Sequence, residues 1–144
     1  MTANIKDGDP ETYAVIGAAM EVHRELHHGF VEPIYQDAFA VELNLRRIPF
    51  ERERPLQVFY NGGILPSTYK ADFVCFGTLL VECNALPAIG HLEEGQVLNY
   101  LRITRLMRAV LLNFGTRSFT YKRLILTHAN SDPESDQSAG NVSL

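Results

Sequence analysis

Apolar and polar positions alternate with two different periods along this chain. From about Glu11 to His28 the apolar residues Val15, Ile16, Ala19, Met20, Val22 and Leu26 recur at helical spacing. Gly29 is a natural stop for that helix. A second helix is predicted from Glu32–Pro33 to about Arg46, with proline tolerated in the first turn. The period then shortens. "FERERPLQVFY" reads as a strand that Pro55 confines to an edge or a bulge. "NGG" at 61–63 is a hairpin turn signal. "STYKADFVCF" and "TLLVECNA" read as two further strands around Gly77. A third helix is expected from about His91 to Arg105, and "MRAVLLNFG" and "FTYKRLILT" supply the last two strands. The order α-α-β-β-β-α-β-β predicts an α/β domain whose mixed sheet carries helices on its faces.

Composition sharpens this reading. A chain of 144 residues, 46% of them apolar, suits one domain with a sizeable core. Residues 1–10 read as a flexible lead-in, 11–126 as the domain, and 127–144 as a disordered acidic, polar tail. No apolar run approaches the ~20 residues a membrane helix needs, and the first residues show no signal-peptide pattern. Two cysteines, Cys75 and Cys83, both in apolar strands, predict buried thiols in a reducing cytoplasm. The formal charge is −4, yet residues 101–126 hold Arg102, Arg105, Arg108, Arg117, Lys122 and Arg123 and no acid. Such a segment forms either a phosphate-facing surface or an ordinary solvated face.

Candidate chemistry centres on "KADFVCFGTLLVECNA", residues 70–85. Asp72 and Glu82 sit ten positions apart on strands expected to pair. Residues two apart share a strand face, which groups Lys70 with Asp72 and Glu82 with Asn84. Two converging carboxylates form a hard oxygen site suited to Mg²⁺ or Mn²⁺. Two acids at the ends of an ordinary hairpin would give the same pattern. Glu32 stands at the start of the second helix, and Gln96 and Tyr100 are four apart on one face of the third. His23 and His27, also four apart, read as surface or helix-end residues, and nothing requires His91 at the site.

Taken together these stretches resemble a known family. "GFVEPIY" at 29–35 matches the motif that names the GxxExxY proteins, and the likeness runs over roughly residues 11–126. That family looks like a branch of the PD-(D/E)XK nuclease superfamily. The resemblance implies a restriction-endonuclease-like α/β/α core and Mg²⁺- or Mn²⁺-dependent hydrolysis of nucleic-acid phosphodiester bonds, with DNA as the expected partner and a homodimer as one arrangement. It implies that Glu32, Asp72 and Glu82 are metal ligands, and that Gln96 and Tyr100 form the Q-x-x-x-Y pair supporting the site. The family pattern V-E-L-K-A reads here Val81-Glu82-Cys83-Asn84-Ala85. Asparagine keeps a hydrogen-bonding amide but brings no charge, and losing a preorganised donor of that kind costs about 10²–10³ in rate. Lys70, placed by strand alternation on the face of Asp72, is either a replacement cation or an ordinary solvent-facing strand residue. A catalytically inactive relative that binds nucleic acid or a protein partner is the alternative.

Overall fold

The computed structural model describes residues 9–126. Its elements are α1 (Pro10–Leu26), α2 (Glu32–Leu45), β1 (Phe50–Tyr60), β2 (Gly63–Cys75), β3 (Leu79–Asn84), α3 (His91–Thr104), β4 (Arg108–Asn113) and β5 (Thr120–Ile125). This is the predicted α-α-β-β-β-α-β-β order. The five strands form one sheet in the order β1-β2-β3-β4-β5. Only β3 and β4 run parallel, and α3 is the crossover that parallel pairing demands.

The sheet is covered on both faces. Phe73, Cys75, Val81, Cys83, Val110 and Leu112 pack under Val15, Ala19, Tyr35, Phe39 and Leu43 of α1 and α2. Val74, Leu80, Ala109, Leu111 and Leu124 pack under Val97 and Leu101 of α3. The result is a three-layer α/β/α domain, consistent with a restriction-endonuclease-like fold. Leu80–Val81 and Ala109–Leu112 are buried on both sides, which explains why these strands read as continuous apolar runs.

Local chemistry sets the ends of the elements. Asp9 caps α1 by accepting the Glu11 N–H at 3.0 Å, with Pro10 in the first turn. Helical order therefore begins within the stretch expected as a lead-in. Arg108 of β4 pairs with Asp9 and Glu11 and fastens this end of α1 to the sheet. The chain leaves α1 at His27, two residues before the expected glycine stop. Asn61 and Gly62 both adopt positive φ, as a tight hairpin turn requires. Pro55 lies in β1, an edge strand, as its missing N–H predicts. Cys75 and Cys83 are free and buried, and burial pushes the Cys75 thiol up to about 12. His23 lies in the last turn of α1, a helix-end position, but not at the surface: it is buried, 2.9 Å from the Thr116 carbonyl, and packs against Phe119. No helix of the described residues is long and apolar enough to cross a membrane. The expected acidic tail at 127–144 lies outside the described residues.

Candidate metal centre

The stretch Gly29–Tyr35 is a device for placing Glu32. Gly29 has φ +115°, a conformation side-chain-bearing residues rarely adopt. Tyr35 is fully buried and its ring stacks on Phe114 at 4.8 Å. Its hydroxyl donates to the His27 carbonyl at 2.6 Å and accepts the Phe30 N–H at 3.1 Å. One side chain thus satisfies both sides of the link between α1 and α2 and fixes where α2 begins. Glu32 is the first residue of α2. Burial, followed by the charge of Asp72, holds its carboxyl above the ordinary range. Tyr35 belongs to the packing that supports Glu32 and is not part of the site itself.

Asp72 and Glu82 grip each other's strands. Glu82 Oε2 accepts the Asp72 N–H at 3.2 Å, and Asp72 Oδ2 accepts the Cys83 N–H at 3.0 Å. The β2–β3 ladder ends one step away, at Phe73 opposite Val81. Here two side chains take over the backbone ladder. Each carboxylate commits one oxygen to the opposite strand, and Glu82 also accepts a bond from the Tyr69 hydroxyl. Burial, then the charge of Asp72, pushes the Glu82 carboxyl up to about 8, while bonds from the Tyr69 hydroxyl and the Asp72 N–H pull the other way. Glu32 adds to that repulsion. Asp72 is also raised, chiefly by burial, against the Cys83 N–H and the Arg52 charge. The three acids named from the sequence are therefore brought into one electrostatic neighbourhood. As placed, no group of three or more His, Cys, Asp or Glu side chains among the described residues stands in a metal-holding arrangement. Coulombic coupling reaches farther than ligation, so the two findings agree: the acids are gathered, and two of them are turned onto backbone N–H groups.

Strand alternation breaks at Asp72. Ala71 packs with Val74 and Leu80 on the α3 side, whereas Phe73 and Cys75 pack on the α1/α2 side. A regular strand would put 71, 73 and 75 on one face. The opposite strand shows the same kink: Arg54 faces Ala71 and Arg52 faces Phe73, with Glu53 between them at φ +54°. Lys70 is exposed and Tyr69, its neighbour, is the residue that bonds Glu82. Simple alternation, which groups Lys70 with Asp72, does not hold across this kink. The cation acting on Asp72 is Arg52.

On the α3 side Glu82 opens into a cleft of about 140 Å³, lined also by Asn84, Gln96, Tyr100, Lys70, Tyr69 and Glu93. Five of the seven residues named from the sequence therefore meet here, with Asp72 and Glu32 beside it through their coupling to Glu82. Tyr69 stacks on Tyr100 with ring centroids 3.7 Å apart. Asn84 Nδ2 is buried and has no hydrogen-bond partner. Tyr69 and Glu93 were missed in the sequence. Glu93 was findable, since it precedes Gln96 and Tyr100 by three and seven positions on one helix face. Tyr69 was not, because its direction depends on the kink.

The basic segment does not form one surface. Arg108 is tied to Asp9, Glu11 and Thr78, and Lys122 lies 3.6 Å from Glu94. Arg105 stacks over Phe59, and Arg102 donates to Asn99 at 2.7 Å. Lys122 and Arg123 are consecutive residues of β5, so they project to opposite faces of the sheet.

Comparisons with known proteins agree with this fold. No curated protein matches the chain. A similar solved structure, that of SSO0001, superposes with a TM-score of 0.51 at 14% identity, over 68% of this chain and 52% of that one. The chain therefore spans about half the length of SSO0001, and the likeness bears on the fold alone. The family model for the PD-(D/E)XK nuclease superfamily matches residues 9–124, which takes in all three helices, β1 to β4, all but the last residue of β5, and the Asp72–Glu82 clasp. The chain belongs to the PD-(D/E)XK nuclease superfamily.

Proposed function

We propose that this protein is a divalent-metal-dependent nuclease of the GxxExxY type, hydrolysing nucleic-acid phosphodiester bonds at the Glu32–Asp72–Glu82 centre. The observation that carries the reading is the reciprocal clasp. Asp72 and Glu82 face each other where β2 and β3 part, each reaching a backbone N–H of the opposite strand, and Glu32 is coupled to both. All-oxygen, carboxylate-rich donors fit Mg²⁺ or Mn²⁺. Glu32, Asp72 and Glu82 would hold the ion, which would supply Lewis-acid polarisation of the phosphate and a hydroxide-like nucleophile.

The chain's own groups do the rest. Tyr69 orients Glu82 through its hydroxyl and is itself held by the stack on Tyr100. Gln96 and Asn84 present amides to the cleft. The unpaired Nδ2 of Asn84 is a donor for a phosphate oxygen, at the position where the family pattern has lysine. A neutral donor stabilises developing negative charge less than an ammonium does, so turnover is expected to be slow. An inactive nucleic-acid-binding relative is the second reading, favoured by that same asparagine.

The test is cleavage of single- and double-stranded DNA and RNA with Mn²⁺ or Mg²⁺, comparing wild type, Asp72→Ala and Asn84→Lys. Wild-type cutting that Asp72→Ala abolishes establishes a working nuclease. Cutting by Asn84→Lys alone establishes a scaffold disarmed at one position. If no variant cuts any substrate, the catalytic reading falls.

A further inference from the structure

We propose that Arg52 is the cation of this centre, standing in for the charge that Asn84 does not bring, with Asp37 as the residue that aims it. The inference rests on the nuclease reading above. Arg52 lies on β1 opposite Phe73, the residue next to Asp72. Its guanidinium carbon lies 5.7 Å from the centroid of the Phe73 ring, and its Nη2 donates to Asp37 Oδ1 at 2.7 Å. Asp37 belongs to α2, the helix that begins with Glu32. The side chain therefore reaches across the α2 side of the sheet, where Glu32 and Asp72 lie close enough to influence each other's charge. About a third of it is exposed to solvent. Guanidinium has five donors, and the Asp37 bond occupies one, which leaves several for a phosphate oxygen.

The kink in β1 and β2 provides the physical reason that this residue is available. Arg52 and Arg54 are two apart and would share a face in a regular strand. With Glu53 at φ +54°, Arg54 instead faces Ala71 of the α3 side while Arg52 faces Phe73 of the α1/α2 side. The turn of one residue brings a positive charge beside Asp72. The alternative cation, Lys70, lines the cleft on the α3 side but does not figure among the charges acting on Asp72 or Glu82.

Two readouts test this, Mn²⁺ affinity by calorimetry and single-turnover cleavage of a labelled DNA duplex at saturating Mn²⁺. The proteins are wild type, Arg52→Gln, Arg52→Lys and Asp37→Asn, each checked for an unchanged melting profile. Removing a cation beside Asp72 should tighten Mn²⁺ binding about two- to tenfold, because the ion no longer meets a like charge. The same change should slow cleavage by about 10-fold or more, by loss of a charged donor. Arg52→Lys should restore the wild-type Mn²⁺ affinity and part of the rate, and Asp37→Asn should lose rate without a gain in affinity. A purely structural Arg52 would not move Mn²⁺ affinity upward. If wild type binds Mn²⁺ and Arg52→Gln binds it no tighter, the proposal is overturned while the nuclease reading stands. If wild type binds Mn²⁺ but does not cut, the affinity change alone decides. Failure of wild type to bind Mn²⁺ overturns both.

Discussion

Glu82 should make this domain lose stability as the pH rises through neutrality. Its carboxyl is buried beside Asp72 and holds its proton up to about 8, against an ordinary value of 4.5. Below about pH 4.5 it is protonated in both folded and unfolded chains, and its contribution is constant. Between 4.5 and 8 the unfolded chain gives up the proton while the folded chain keeps it, so the folded state binds more protons and stability falls with pH. Above about 8 both forms are ionised and the loss is complete. At 1.36 kcal/mol per pH unit the full interval corresponds to about 5 kcal/mol; water entering the cleft relaxes part of this, leaving about 2–5 kcal/mol. For a domain of this size that is a fall in Tm of roughly 8–20 °C. The assay is thermal or urea unfolding in EDTA from pH 5 to 9, with wild type beside Glu82→Gln. The neutral isostere should flatten the profile and be the more stable protein at pH 8.5. Parallel profiles for the two proteins, or wild-type stability that rises from pH 5 to 8, would refute the reasoning.

Three further outcomes are expected. Asn84→Lys should raise Mn²⁺-dependent cleavage by about 10²-fold in a side-by-side kinetic assay, since it adds a charged donor beside Glu82. Tyr35→Phe should cost about 1–3 kcal/mol in urea unfolding, because the His27 carbonyl and Phe30 N–H lose their shared hydroxyl; it should also weaken Mn²⁺ binding by letting Glu32 drift. Gly115→Ala should destabilise the domain by about 2 kcal/mol or more, read from Tm. Its Cβ would lie 2.4 Å from Leu86 N, in a loop already clamped by the bonds of Asn113 to the Leu86 backbone.

The amino-acid sequence by itself determined the elements and their order. Apolar residues at helical spacing in α1, alternation in the strands, and the turn residues Asn61 and Gly62 are local signals, and local sterics and burial decide what they encode. It also singled out Asp72 and Glu82 as acids on strands expected to pair, and Glu32 through its place at the start of a helix in the stretch that carries the family resemblance. Glu32 was legible with its supports: Gly29 and Tyr35 act within a few residues of it. The direction of the side chains around Asp72 was settled by packing across the sheet. Alternation predicts a partnership of Lys70 with Asp72, but β2 switches faces between Ala71 and Phe73, alongside the positive φ of Glu53 on the paired strand. A non-glycine residue in that conformation is held by its surroundings rather than by its own preference, so no local pattern announces it. The same holds for the basic residues of 102–123: one run in the sequence is dispersed to Asp9, Glu94, Phe59 and Asn99 because helix, strand and edge carry its members to different faces. Sequence spacing fixes direction only within a regular element, and the acids of this centre sit where one ceases to be regular.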